Sequence, residues 1–113
     1  MPATHEDAQL IVQLLRWGTD LQLPEAVSAV MADTYDPDSA TADDPPVRSL
    51  LYFGETLGTL VKQNVLDREL VHDLWWVGGI WNKVRQPALR ERERSGEPRL
   101  YENFEALAAS AAG

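Results

Sequence analysis

LDRELVHDLWWVGGIWNKVRQPALRERERS, residues 66 to 95, holds three of the four tryptophans, one of the two histidines and most of the arginines. Its apolar side chains fall at Leu70, Leu74, Val77, Trp81, Val84 and Ala88, a 4-3-4-3-4 spacing that keeps one stripe on one side of a helix. Both ends are signalled: Asp67 is placed to accept hydrogen bonds from the first free N–H groups, Glu69 adds charge to the first turn, and Ser95-Gly96 before Pro98 marks a stop. Unbroken, the 28 residues from Arg68 to Ser95 would run about 42 Å, against roughly 34 Å for the diameter of a globule of this chain length. The rod would overhang its own domain. A bend is therefore expected at Gly78-Gly79 or at Pro87, with Pro87 favoured because it takes the partner from a carbonyl one turn earlier; otherwise a second subunit lies along the overhang.

A chain of 113 residues suits one domain, and 44% hydrophobic with 25% charged residues is ordinary globular composition. No apolar run is long enough to span a bilayer, no basic and apolar leader pattern opens the chain, and cysteine is absent; a soluble, cytoplasmic protein without thiol chemistry is expected. A net charge of −8 argues against nucleic acid and anionic membranes as partners, because neutralising phosphates needs excess Lys and Arg. The charge is uneven. Residues 1 to 45 hold nine acids against Arg16 alone, while Lys83 to Arg99 holds six basic residues against Glu91, Glu93 and Glu97.

Along the chain, Thr4 and Asp7 have capping-box spacing ahead of a first helix through Leu10, Ile11, Leu14, Leu15 and Trp17, with Gly18 as terminator. Pro24 opens a second helix carrying Ala26, Val27, Val30 and Met31, and the short connection suggests an antiparallel pair. Residues 33 to 46, DTYDPDSATADDPP, offer acids, prolines and almost nothing to bury, and read as a solvated acidic loop and a candidate for mobility. A calcium loop fails there: Ala40 occupies the third ligand position and Thr41 the turn glycine. A third helix runs from Pro46 or Val47 to about Asn64, with Gly54 and Gly58 one turn apart for a tight helix crossing, and with Glu55 pointing elsewhere around the axis. Leu100, Phe104, Leu107 and Ala108 give a short last helix that must dock to be stable. Residues 109 to 113 read as a flexible tail.

The segments LYENFEALA at Leu100 to Ala108 and VLDRELVHDLWW at Val65 to Trp76, with Trp81 and Arg90, resemble a family of small all-helical bacterial domains of unknown function. The likeness covers the chain from Phe53 onward. It implies an all-helical fold and brings no activity, cofactor or catalytic residue. Such families commonly show one aromatic where this chain has adjacent Trp75 and Trp76.

Chemistry-bearing constellations are thin. Glu69 and His72 have the Glu-x-x-His spacing of di-iron bundles, but His5-Glu6-Asp7 offers no second motif, so no metal and no cofactor is expected. The serines lie in no nucleophile-elbow context, and Gly78-Gly79 is followed by no phosphate-loop Lys. Alternating Arg90, Glu91, Arg92, Glu93 and Arg94 favour an ion-paired helix face over a nucleic-acid reader. Adjacent Trp75 and Trp76 sit about 100° apart on a helix, so one is left at a boundary. The expected molecule is an all-α antiparallel bundle of about five helices with the long fourth central. It is read as a non-catalytic protein-interaction or regulatory module, a homodimer meeting through Trp75, Trp76 and Trp81. The alternative is a small-molecule-binding or enzymatic bundle with a pocket between the third and fourth helices near Tyr52, Glu55, His72 and Trp75.

Overall fold

The computed structural model describes residues 3–110. The described residues form six helices and no strand: α1 His5–Asp20, α2 Leu23–Met31, α3 Pro45–Lys62, α4 Arg68–Leu74, α5 Val77–Ser95 and α6 Glu102–Ser110. The all-helical expectation is met, with one helix more than the five expected because the 66–95 segment divides. The centre also differs. It is α3, lying against α2, α5 and α6, rather than the tryptophan-bearing segment. Ala109 and Ser110 of the expected flexible tail form the end of α6, while residues 111–113 lie outside the described residues.

The capping box is present at the start of α1: the Asp7 N–H donates to Thr4 Oγ1 at 3.2 Å and the Thr4 N–H to Asp7 Oδ2 at 2.7 Å. Asp7 is buried, and its other oxygen accepts the Asp67 N–H at 3.1 Å, so one carboxylate fastens the beginnings of α1 and α4. Asp67 in turn caps α4, accepting the Leu70 N–H at 3.0 Å. Gly18, expected as a terminator, lies buried inside α1. A Cβ there would stand 3.0 Å from Leu23 Cδ1, so glycine lets α2 close onto α1. The turn is made instead by Leu21 and Gln22, the latter at φ 57° in the left-handed region. α3 ends on Asn64 at φ 60°, with Asn64 N–H donating to Val61 O at 3.1 Å and Val65 N–H to Leu60 O at 2.9 Å, the paired bonds of a Schellman ending. Gly96 at φ 72° ends α5 as expected from Ser95-Gly96.

The long segment is not one helix. It breaks at Trp75-Trp76, between α4 and α5, and α5 continues through Pro87. Its nineteen residues rise about 28 Å, within the molecule's 41 Å long axis, so no rod overhangs. Pro87 has no N–H to give Lys83 O, the carbonyl one turn back. The Tyr35 hydroxyl donates to that oxygen at 2.7 Å. The missing helix bond is thus replaced from the 33–46 segment, which buries more than its composition suggested: Ala40 and Ala42 are core residues, and the Arg90 guanidinium donates to Pro37 O at 2.8 Å and also to Ala40 O.

Tyr35→Phe is expected to lower stability by about 1 kcal/mol, the usual cost of leaving a polar group without its partner. Adding Pro87→Ala, which restores an N–H donor to α5, should shrink that loss; additive effects in urea denaturation would disprove the replacement. Asp7 supplies a second expectation. Its pKa lies below the ordinary aspartate value, chiefly through the Thr4 backbone N–H, against the opposing effect of burial, with the Thr4 hydroxyl and Asp67 N–H adding to the lowering. A depressed folded-state pKa contributes stability above the unfolded value and loses it as pH falls through the folded one. Below about pH 4 the melting temperature of Asp7→Asn should therefore depend less on pH than that of the wild type.

Candidate functional site

The break between α4 and α5 builds the site. Trp75 is extended at φ −129°, ψ 140°, and Trp76 at φ −82°, ψ 68° is the middle of an inverse γ-turn closed by Val77 N–H donating to Trp75 O at 2.9 Å. Neighbouring tryptophans therefore part company. Trp75 turns inward, its ring edge-on to Phe53 at 5.4 Å, and Phe53 meets Trp17 at the same centroid distance. Trp76 stays 68% exposed, its indole folded over the first turn of α5, where a Cβ on Gly79 would lie 2.1 Å from Cε2. Gly78-Gly79 thus matters by making room for a ring rather than by bending the helix.

Behind Trp76 an apolar cleft of about 440 Å³ opens between α1, α2, α3 and the α4–α5 junction. Leu23, Val27 and Ile80 form its walls, Phe53, Leu57 and Phe104 its depth, and Leu15, Leu74 and Trp76 its rim. No titratable side chain lines it. Thr19 is the one hydroxyl, and it already donates to Leu15 O at 3.2 Å. Such a surface can desolvate and hold an apolar group; it has no acid, base or activated nucleophile to act on one.

The four residues expected around a pocket are distributed otherwise. Trp75 lines the cleft. Tyr52 stands 52% exposed on α3. Glu55 caps α6 from a different helix: its Oε1 accepts the Asn103 and Phe104 N–H groups at 3.0 and 2.9 Å, and Oε2 accepts Asn103 Nδ2 at 2.9 Å. Its direction differs from the expectation because the long side chain reaches the α6 terminus that the two neighbouring glycines bring close. His72 Nε2 lies 3.3 Å from Ser110 Oγ at the end of α6; burial first and Arg68 second push its pKa down, with Asp73 opposing. Of the tryptophans expected at an interface, Trp81 is 8% exposed and tilted against Phe104 at 5.0 Å. Among the described residues no three His, Asp or Glu side chains gather as metal ligands, and no helix is long and apolar enough to cross a membrane. Leu23, Val27 and Ile80 were missed as lining residues. The available signal was α2 itself, whose apolar residues Leu23, Ala26, Val27, Val30 and Met31 occupy more than one side of a nine-residue helix.

Fold and cleft define a small all-helical domain. The chain belongs to the family described as a domain of unknown function (DUF4760), whose model matches residues 4–111, extending the resemblance read from Phe53 onward to nearly the whole chain. Comparison with curated proteins and with solved structures gives no match.

Glu55→Ala should cost about 1 to 3 kcal/mol by leaving two α6 amides without an acceptor, and Glu55→Gln distinctly less, since an amide oxygen remains. Equal losses for the two variants in chemical denaturation would rule out the capping role.

Proposed function

We propose that the chain is a non-catalytic protein-interaction module that works in the cytoplasm as a homodimer, with Trp76 at the centre of the contact. The observation that supports it is the 68% exposure of Trp76, which shares the cleft rim with half-exposed Leu15 and Leu74, while half-exposed Val12 lies one turn before Leu15 on α1. On α1 the outward residues His5, Ala8, Val12, Leu15 and Thr19 follow a 3-4-3-4 spacing, a second stripe beside the buried one of Ile11, Leu14 and Gly18. That spacing suits a helix with neighbours on two sides. A twofold axis places the same patch on both partners, so each Trp76 ring meets the rim of the other cleft. Trp75 backs the patch from within, and Trp81 holds α5 against α6 behind it. Burying one indole is worth on the order of 3 kcal/mol, enough to make this ring the main contributor.

Sedimentation of the full chain should show dimers in the micromolar range, with Trp76→Ala weakening association about tenfold or more and Val12→Lys abolishing it. A monomer throughout, up to roughly 100 μM, would remove the dimer.

A further inference from the structure

We propose that the cleft behind Trp76 is a binding site for an uncharged, largely hydrocarbon or aromatic small molecule, held between α2, α3 and the start of α5. The proposal stands independently of self-association. Three features carry it. The cleft's 440 Å³ falls in the size range of small-ligand sites. Its depth is the core itself, since Phe53, Leu57 and Phe104 line it while being 4%, 2% and 2% exposed, and a flat partner surface would not reach them.

The chemistry of the lining sets the third limit. With no acid or base in the wall, an ionised group drawn inside would lose its hydration and find no counter-charge, so the ligand enters neutral. Polar side-chain groups on the lining are few: the Thr19 hydroxyl and the indole N–H groups of Trp75 and Trp76. A ligand carrying at most one carbonyl or ether oxygen suits such a wall. A molecule that fits the hollow gains dispersion contacts with its apolar walls and so stabilises the fold as it binds. The groove at the end of α5 is more open and is bordered by charged Arg90, Arg92 and Glu93, so it lacks both the depth and the neutral wall.

The test uses the full chain and two fluorescent probes of similar shape, neutral N-phenylnaphthylamine and anionic anilinonaphthalene sulfonate, read by energy transfer from tryptophan and by thermal melting. The neutral probe should bind saturably, one per chain, about tenfold more tightly than the sulfonate, and raise the melting temperature. Val27→Phe fills the wall, and Thr19→Trp, at an exposed position, covers the mouth without touching the core; each should weaken the neutral probe about tenfold. Val12→Lys lies outside the cleft and should still bind the neutral probe saturably, one per chain, when monomeric, which separates this site from the dimer contact. No saturable binding, equal affinity for the sulfonate, or unchanged affinity in Thr19→Trp would each overturn the assignment.

Discussion

α6 lies on α3 across two glycines, and the rest of the bundle depends on that contact. A Cβ on Gly54 would stand 2.3 Å from the Phe104 ring, and one on Gly58 would stand 2.2 Å from the Asn103 carbonyl oxygen. Only glycine at both positions lets Phe104 reach 2% exposure and meet Trp81 of α5. Close approach alone would leave the first amides of a nine-residue helix buried without acceptors, since a helix start has no internal partners for them. Glu55, next in sequence to Gly54, supplies the acceptor. Steric room and polar satisfaction are thus provided by adjacent residues of one helix turn.

The same contact accounts for an unusual backbone. Tyr101 sits at φ 62°, a left-handed conformation that costs a bulky residue about 1 to 3 kcal/mol. It is held there from both sides, by Glu55 on the amides that follow and by Arg92, whose Nε donates to Leu100 O at 2.6 Å and whose guanidinium pairs with Glu105 at 2.9 Å. The LYENF run therefore has a physical meaning: a strained cap, a side-chain partner for Glu55, and a ring that needs a glycine beneath it.

Several local signals were legible, though Gly18, expected to end α1, lies inside it. The Thr4–Asp7 box, the Asp67 cap, the Gly96 stop and the crossing at Gly54 and Gly58 all depend on spacings of a few residues, and each is where the sequence placed it. What sequence could not supply were partners far along the chain. Pro87 reads as a carbonyl left without a partner until Tyr35, 48 residues before Lys83, is seen to satisfy it. Arg90 and Arg92 read as a charged helix face, yet their guanidiniums hold the carbonyls of the 33–46 segment and the turn before α6. The pattern of alternating signs does describe Arg94, which pairs with Glu91.

The tryptophan pair shows why the helix breaks where the stripe itself continues. Leu70, Leu74, Val77, Trp81, Val84 and Ala88 would suit one uninterrupted rod, and pattern alone favours it. A continuous helix fixes Trp75 and Trp76 about 100° apart, whereas the γ-turn directs one ring onto Phe53 and leaves the other over Gly79. Two successive glycines weaken the helix by about 1 kcal/mol each compared with alanine, so interrupting it beside them is cheap. The break gives the core an aromatic contact and the surface an exposed indole, and the cleft opens where the two diverge. An unbroken rod would have neither the hollow nor its rim.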